Sequence, residues 1–126
     1  MTVLIDSYGW IEYFSDGPLA DKYARYIKKA NTSEYITPSI VLYEVYKKIK
    51  REKNEEKALE SYAYIVSYTR ILPLDGKTSL EAAEKSLKYG LGMADSIILA
   101  TAANNNAKIV TSDEHFKNLD NAIYIK

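Results

Sequence analysis

The sequence predicts an α/β protein: a three-layer α/β/α sandwich around a mostly parallel central sheet. Two observations lead there. Short apolar, β-branched runs alternate along the chain with amphipathic stretches of roughly ten residues or more, the signature of parallel strands joined by helices. One late stretch, residues 94–103, is apolar nearly all round, as a helix at the centre of such a sandwich must be. The 126 residues, 47% apolar and 27% charged, suit one domain (1–126) with its own hydrophobic core and leave no room for a second.

Each element has a local reason. Residues 2–5 form a buried strand by their β-branched content and abrupt end. Ser7 is placed to cap a helix running to about Phe14, and "SDGP" (15–18) is a turn with Pro18 suited to open the next helix. Residues 19–30 carry Leu19, Tyr23, Tyr26 and Ile27 on one helical face. A strand at 35–37 leads to Pro38 in the first turn of a third helix, which continues to about Lys53. Asn54 caps a fourth helix with the stripe Leu59, Tyr62, Ala63 and Val66. "RILPLDG" is a strand and a turn. Residues 77–89 are helical with Leu80, Ala83 and Leu87 on one side, and Gly90 and Gly92 end them. After the buried helix, "AKIVTSD" is a strand with its exit and "AIYIK" a last short strand.

The charge balance is neutral, 17 basic against 17 acidic residues, so any nucleic-acid site must be local rather than global. The chain has no cysteine, which excludes disulfides and thiolate metal sites. It shows no leader-like segment and no apolar run long enough for a membrane, so a cytoplasmic protein is expected.

Four acids carry the functional reading. Asp6 and Asp113 each follow the apolar run of a strand, in "VLID" and "KIVTSD", and both should emerge on one rim of the sheet, where such folds bind ligands. Taken singly, each reads better as a helix cap. Glu44 falls beside Ile40, Val41 and Val45 on the third helix, and Asp95 shares a face with Ile98 and Leu99. Carboxylates on core-facing stripes are costly unless paired or metal-bound. For Asp95 the helix dipole, and for Glu44 a pair with Lys47 or Lys48, are the plain alternatives. Four such coincidences together point to an all-oxygen pocket for a hard divalent cation, Mg²⁺ or Mn²⁺, whose usual task is phosphate chemistry with an activated water. The letters exclude three phosphate-handling alternatives. A receiver-type phosphoacceptor needs an acid pair where Asp6 is followed by Ser7, an aspartate-nucleophile phosphatase needs an acid where Tyr8 stands, and no P-loop occurs.

With the strand ending in Asp6-Ser7, Glu44 on the third helix, "ADSIILATA" around Asp95 and "TSDEHF" around Asp113, at spacings of 38, 51 and 18 residues, the whole chain resembles the PIN-domain ribonucleases, specifically the VapC-type toxins of toxin–antitoxin pairs. The resemblance implies a Mg²⁺- or Mn²⁺-dependent endoribonuclease with Asp6, Glu44, Asp95 and Asp113 as metal-binding, catalytic acids. Ser7 and Thr111 would be the supporting polar residues. It implies a VapB-like antitoxin seated between the second and fourth helices, where Tyr62, Tyr64 and Tyr68 could line the groove, and a homodimer in which Tyr43 and Tyr46 could take part. Many relatives carry one more acid where this chain has His115, here read as a surface residue. The run "KKIKREK" (47–53), with Lys47, Lys48, Lys50 and Arg51, could follow an RNA backbone, although a solvated helix end is the plainer reading. Tyr8 could stack on a base, whereas Trp10 is better placed in the core. The alternatives are a housekeeping RNA-processing nuclease of the same fold and a catalytically silent interaction module.

Overall fold

In a computed structural model that describes residues 1–126, the strands are β1 (Thr2–Ile5), β2 (Tyr35–Pro38), β3 (Arg70–Leu72), β4 (Ala107–Thr111) and β5 (Ala122–Tyr124). The helices are α1 (Ser7–Phe14), α2 (Ala20–Ile27), α3 (Ser39–Glu52), α4 (Glu55–Tyr68), α5 (Gly76–Tyr89) and α6 (Met93–Asn104). The sheet order is β3-β2-β1-β4-β5 and every pairing is parallel. This is the expected α/β/α sandwich, with the sheet parallel throughout. No helix is long and apolar enough to cross a membrane.

The strand order places the topological switch between β1 and β4. From β1 the chain builds outward through β2 and β3, and from β4 it builds the other way to β5. Both central strands are buried runs, with Leu4, Ile109 and Val110 fully enclosed. Helix α6 is buried from Ser96 to Ala102, as its all-round apolar sequence requires. It packs on α5 and α3. A buried hydroxyl pair, Thr37 with Thr69 at 2.7 Å, ties the end of β2 to the end of α4.

Three local expectations are corrected. Asp6, not Ser7, is the N-cap of α1, accepting from the Gly9 N–H at 2.8 Å. Pro38 closes β2 and stands at the N-cap of α3 rather than inside it. The stripes of α4 and α5 face solvent. Leu59, Tyr62 and Val66 are exposed, as are Leu80 and Leu87, while the buried positions are Ala58, Ser61 and Ile65 on α4 and Ala82 on α5. Ala58, Ser61 and Ala82 are small and let these helices approach the core closely, with Ile65 the large side chain buried beside them. Leu59, Tyr62, Val66, Leu80 and Leu87 are left outside, against the usual rule of helix amphipathicity.

Gly9 on α1 is fixed by close approach. A Cβ there would lie 2.3 Å from the Tyr23 ring and 2.9 Å from Ile5. Tyr23 is fully buried and cannot swing away. Gly9→Ala therefore gains up to about 1 kcal/mol of helix propensity but meets an overpacking cost of about 1–3 kcal/mol. The net effect expected in a denaturant titration is destabilisation; a stabilised variant would show that α1 can lift off Tyr23 freely.

Candidate metal centre

Because β1 and β4 are adjacent and parallel, the residues leaving their carboxyl ends meet. Asp6 follows β1 and Asp113 follows β4 by two residues. Thr111, the last residue of β4, joins them: its Oγ1 donates to Asp6 Oδ2 at 2.7 Å and accepts from the Asp113 N–H at 3.0 Å. Asp113 also caps the short 3₁₀ turn Glu114–Phe116, accepting from the His115 N–H at 2.9 Å. Capping and site membership thus coincide in both residues.

Glu44 from α3 and Asp95 from the first turn of α6 complete the rim. All four acids line one open cleft of about 720 Å³, together with Ser7, Tyr8, Ser112 and the basic residues Lys47, Lys48 and Arg51. The Ser7 hydroxyl donates to Glu44 Oε1, which ties α1 to α3 across the cleft. Lys50, Trp10 and His115 each take a place that bears on the site. Lys50 does not line the cleft and instead pairs with Glu55 at 3.4 Å. Trp10 is fully buried, so of the two aromatics only Tyr8 is available to a ligand. The ligand atoms that approach within 4.8 Å of one another belong to Asp95, Asp113 and His115, a tighter group than the four acids as a set.

The electrostatics fit a cation. None of the four acids is paired with a lysine or arginine; the single ion-pair contact among them is Asp113 with His115 Nδ1 at 2.9 Å. Asp6 is 5% exposed. Burial pushes its carboxyl from 3.8 up to about 6, against the hydrogen bonds from Thr111, Gly9 and Tyr23 that hold it down. Burial, then the charges of Asp113 and Glu44, raise the Asp95 carboxyl above its ordinary range. Carboxylates held close without counter-charge, all offering oxygen, are the donor set a hard divalent ion requires.

One supporting residue escaped the sequence reading. Tyr23 of α2 turns its hydroxyl into this rim, 3.3 Å from Asp6 Oδ1 and 2.9 Å from Ser112 Oγ. Its position on an apolar helical face gave no sign of a polar task. The signal would have been Gly9, whose missing side chain makes room for the ring.

The raised Asp6 carboxyl has a sign that can be checked in the metal-free protein. The folded state binds this proton more tightly than the unfolded state. Its contribution to stability is therefore complete below pH 3.8 and is lost as pH rises through about 6. The difference corresponds to about 3 kcal/mol. In EDTA, wild type should lose stability relative to Asp6→Asn between about pH 4 and about pH 7, measured by chemical denaturation. A gap between the two that does not vary with pH would contradict a strained carboxylate.

The sequence profile of the PIN domain matches residues 3–122. No curated protein sequence matches the chain. Among solved structures, the chain is similar to a toxin–antitoxin complex from Klebsiella pneumoniae (TM-score 0.77, 19% identity, covering 97% of this chain and 96% of that one). It is also similar to VapC20 of Mycobacterium tuberculosis, described as a toxin cleaving the sarcin–ricin loop (TM-score 0.75, 15% identity, 89% and 92% covered). A third is VapBC2 from Rickettsia felis, bound to a DNA fragment from its promoter (TM-score 0.71, 22% identity, 98% and 97% covered). At these identities the likeness is one of fold. With the profile spanning nearly its whole length, the chain belongs to the PIN-domain family.

Proposed function

We propose that residues 1–126 act as one PIN domain and as a Mg²⁺- or Mn²⁺-dependent endoribonuclease, the toxin of a VapBC-type pair, working in the cytoplasm. The observation that carries this reading is the convergence of Asp6, Glu44, Asp95 and Asp113 on one cleft, none of them ion-paired with a lysine or arginine. These four acids would hold the ion. When bound, it supplies the charge that polarises a scissile phosphodiester and acidifies an attacking water.

The chain's own residues account for the rest. Thr111 and Tyr23 fix the Asp6 carboxylate, and Ser7 fixes Glu44, so the donors are set before any ligand arrives. Lys47, Lys48 and Arg51 line the same cleft and offer phosphates a basic wall opposite the acids. Lys48 and Arg51 share Glu52, at 3.0 and 3.5 Å, whereas Lys47 has no acidic partner and leans on the Tyr43 hydroxyl at 3.2 Å. Tyr8, half exposed at the rim, presents a face on which an unpaired base can stack.

The outward stripe of α4 supports an antitoxin contact. Leu59, Tyr62 and Val66 form an exposed apolar row, while Tyr64 turns inward and donates to the Ile27 carbonyl of α2 at 3.3 Å. A VapB-like helix laid along this row would cover it. The exposed row Leu80–Ala83–Leu87 of α5 and exposed Tyr43 support a homodimer.

Four outcomes are expected. Single-stranded RNA is cleaved with Mg²⁺ or Mn²⁺, and cleavage is abolished by EDTA and by Asp6→Asn; full activity in either case would sink the reading. Millimolar Mn²⁺ raises the melting temperature of the wild type through binding to the folded state alone. In EDTA, Glu44→Gln and Asp95→Asn melt at or above the wild type, because each removes one of the charges that repel at this rim; for unit charges about 5 Å apart at an effective dielectric near 20 a pair costs on the order of 3 kcal/mol before relaxation and proton uptake reduce it. Acids that were structural ion-pair partners would instead lose stability on substitution and ignore the metal. Light scattering should give twice the 14.3 kDa of one chain, and a strict monomer at micromolar concentration would rule the homodimer out.

A further inference from the structure

We propose that His115 is a metal ligand, and that with Asp95 and Asp113 it forms a mixed imidazole–carboxylate site that takes Mn²⁺ in preference to Mg²⁺. The inference rests on the reading of the cleft as a metal centre and adds to it a donor and an ion preference. Three facts carry it. The ligand atoms of Asp95, Asp113 and His115 all lie within 4.8 Å of one another, a span one ion can bridge. The imidazole presents Nδ1 to this group, 2.9 Å from Asp113 Oδ1. Its backbone is fixed on both sides: the His115 N–H donates to Asp113, and Phe116, the next residue, is buried in the core at 1% exposure.

The side chain itself is 71% exposed. It can therefore pivot by the small amount needed to admit an ion between its nitrogen and the two carboxylates, while its anchor does not move. A His–Asp ion pair is the ordinary account of such a contact. It leaves half-buried Asp95 facing the Asp113 and Glu44 charges with no lysine or arginine paired to any of the three.

The chemistry of the donors sets the preference. Mg²⁺ favours a rigid octahedron of oxygens and gives up its waters reluctantly. Mn²⁺ also favours oxygen ligands, but as a first-row transition ion it accepts an imidazole nitrogen in place of one of them more readily than Mg²⁺ does. An acid in place of His115 would make the site all-oxygen and return the advantage to Mg²⁺.

His115 is the only histidine in the chain, so any imidazole nitrogen bound to the ion must be its own. The test is pulsed electron paramagnetic resonance of the full-length protein loaded with Mn²⁺, alongside Mg²⁺ competition followed by the melting temperature. A nitrogen coupling of a directly bonded imidazole is expected in wild type and should vanish in His115→Ala. His115→Asp should lower the ratio of Mn²⁺ to Mg²⁺ affinity, on the order of tenfold, the scale on which altered ligand surroundings change metal binding. His115 sits at the surface, so both variants should fold; their metal-free melting temperatures check this. Mn²⁺ bound without nitrogen coupling, or an affinity ratio indifferent to both substitutions, would overturn the assignment of His115 and leave the four-acid reading intact. No Mn²⁺ binding by wild type would overturn both.

Discussion

The structure depends on one buried carboxylate. Asp6 sits where the two central strands end side by side, and three hydrogen bonds reach it from three elements: Thr111 on β4, the Gly9 amide on α1 and the Tyr23 hydroxyl on α2. An ionised carboxylate this deep is tolerated only when it is so supplied. Its bonds therefore fix the register of β4 on β1 at their carboxyl ends, the entry angle of α1 and the seat of α2. The support is incomplete, because burial still outweighs the three bonds and leaves the carboxyl at about 6. A site that held Asp6 more comfortably would hold it less ready for a cation.

This explains how much the sequence could disclose. Alternation of strands and helices, the buried character of α6 and the exits of β1 and β4 were legible because each is a local pattern, complete within a dozen letters. The convergence of Asp6 and Asp113 followed from them, since adjacent parallel strands present their ends on one rim. Tyr23 was not legible: an apolar stripe shows which face is buried but not which buried atom meets a carboxylate from another element. The exposed rows on α4 and α5 were misread for a related reason. Periodicity marks a face as apolar, and only tertiary packing decides whether Ala58 and Ser61 or Leu59 and Tyr62 turn inward. On α3 the same rule placed Val41 and Val45 in the core correctly, with Ile40 only partly buried and Glu44 at the stripe's edge.

Capping and a place in the cleft are not rivals. A helix N-terminus offers free amides and a partial positive charge, so an aspartate there is already held with one oxygen bonded and the other available. Asp6 on α1 and Asp113 on the 3₁₀ turn are both placed this way. The cap orients the carboxylate at little entropic cost. The motif "strand–Asp–helix" is ambiguous in sequence because a good cap at the switch point is also well prepared to be a ligand.

The neutral overall charge hides a strong local division. In the cleft, acids from β1, α3, α6 and the end of β4 face a basic wall from the middle and last turns of α3. Both signs come partly from one helix: Glu44 and Lys47, three residues apart, share a side of α3, and Lys48 and Arg51 continue it toward the C-terminus. Glu52 restrains Lys48 and Arg51 from collapsing onto the acids, and Tyr43 holds Lys47 through its hydroxyl. A cation entering the acidic half would relieve repulsion there without competing against these side chains. A polyanion could then meet both positive regions at once. Neither half would draw a nucleic acid alone, since the acids repel it and the basic residues of the cleft, three on α3 and Lys126, are too few to bind it tightly. Phosphate recognition in this geometry would therefore wait on the ion, with the order of binding set by the placement of charges along a single helix.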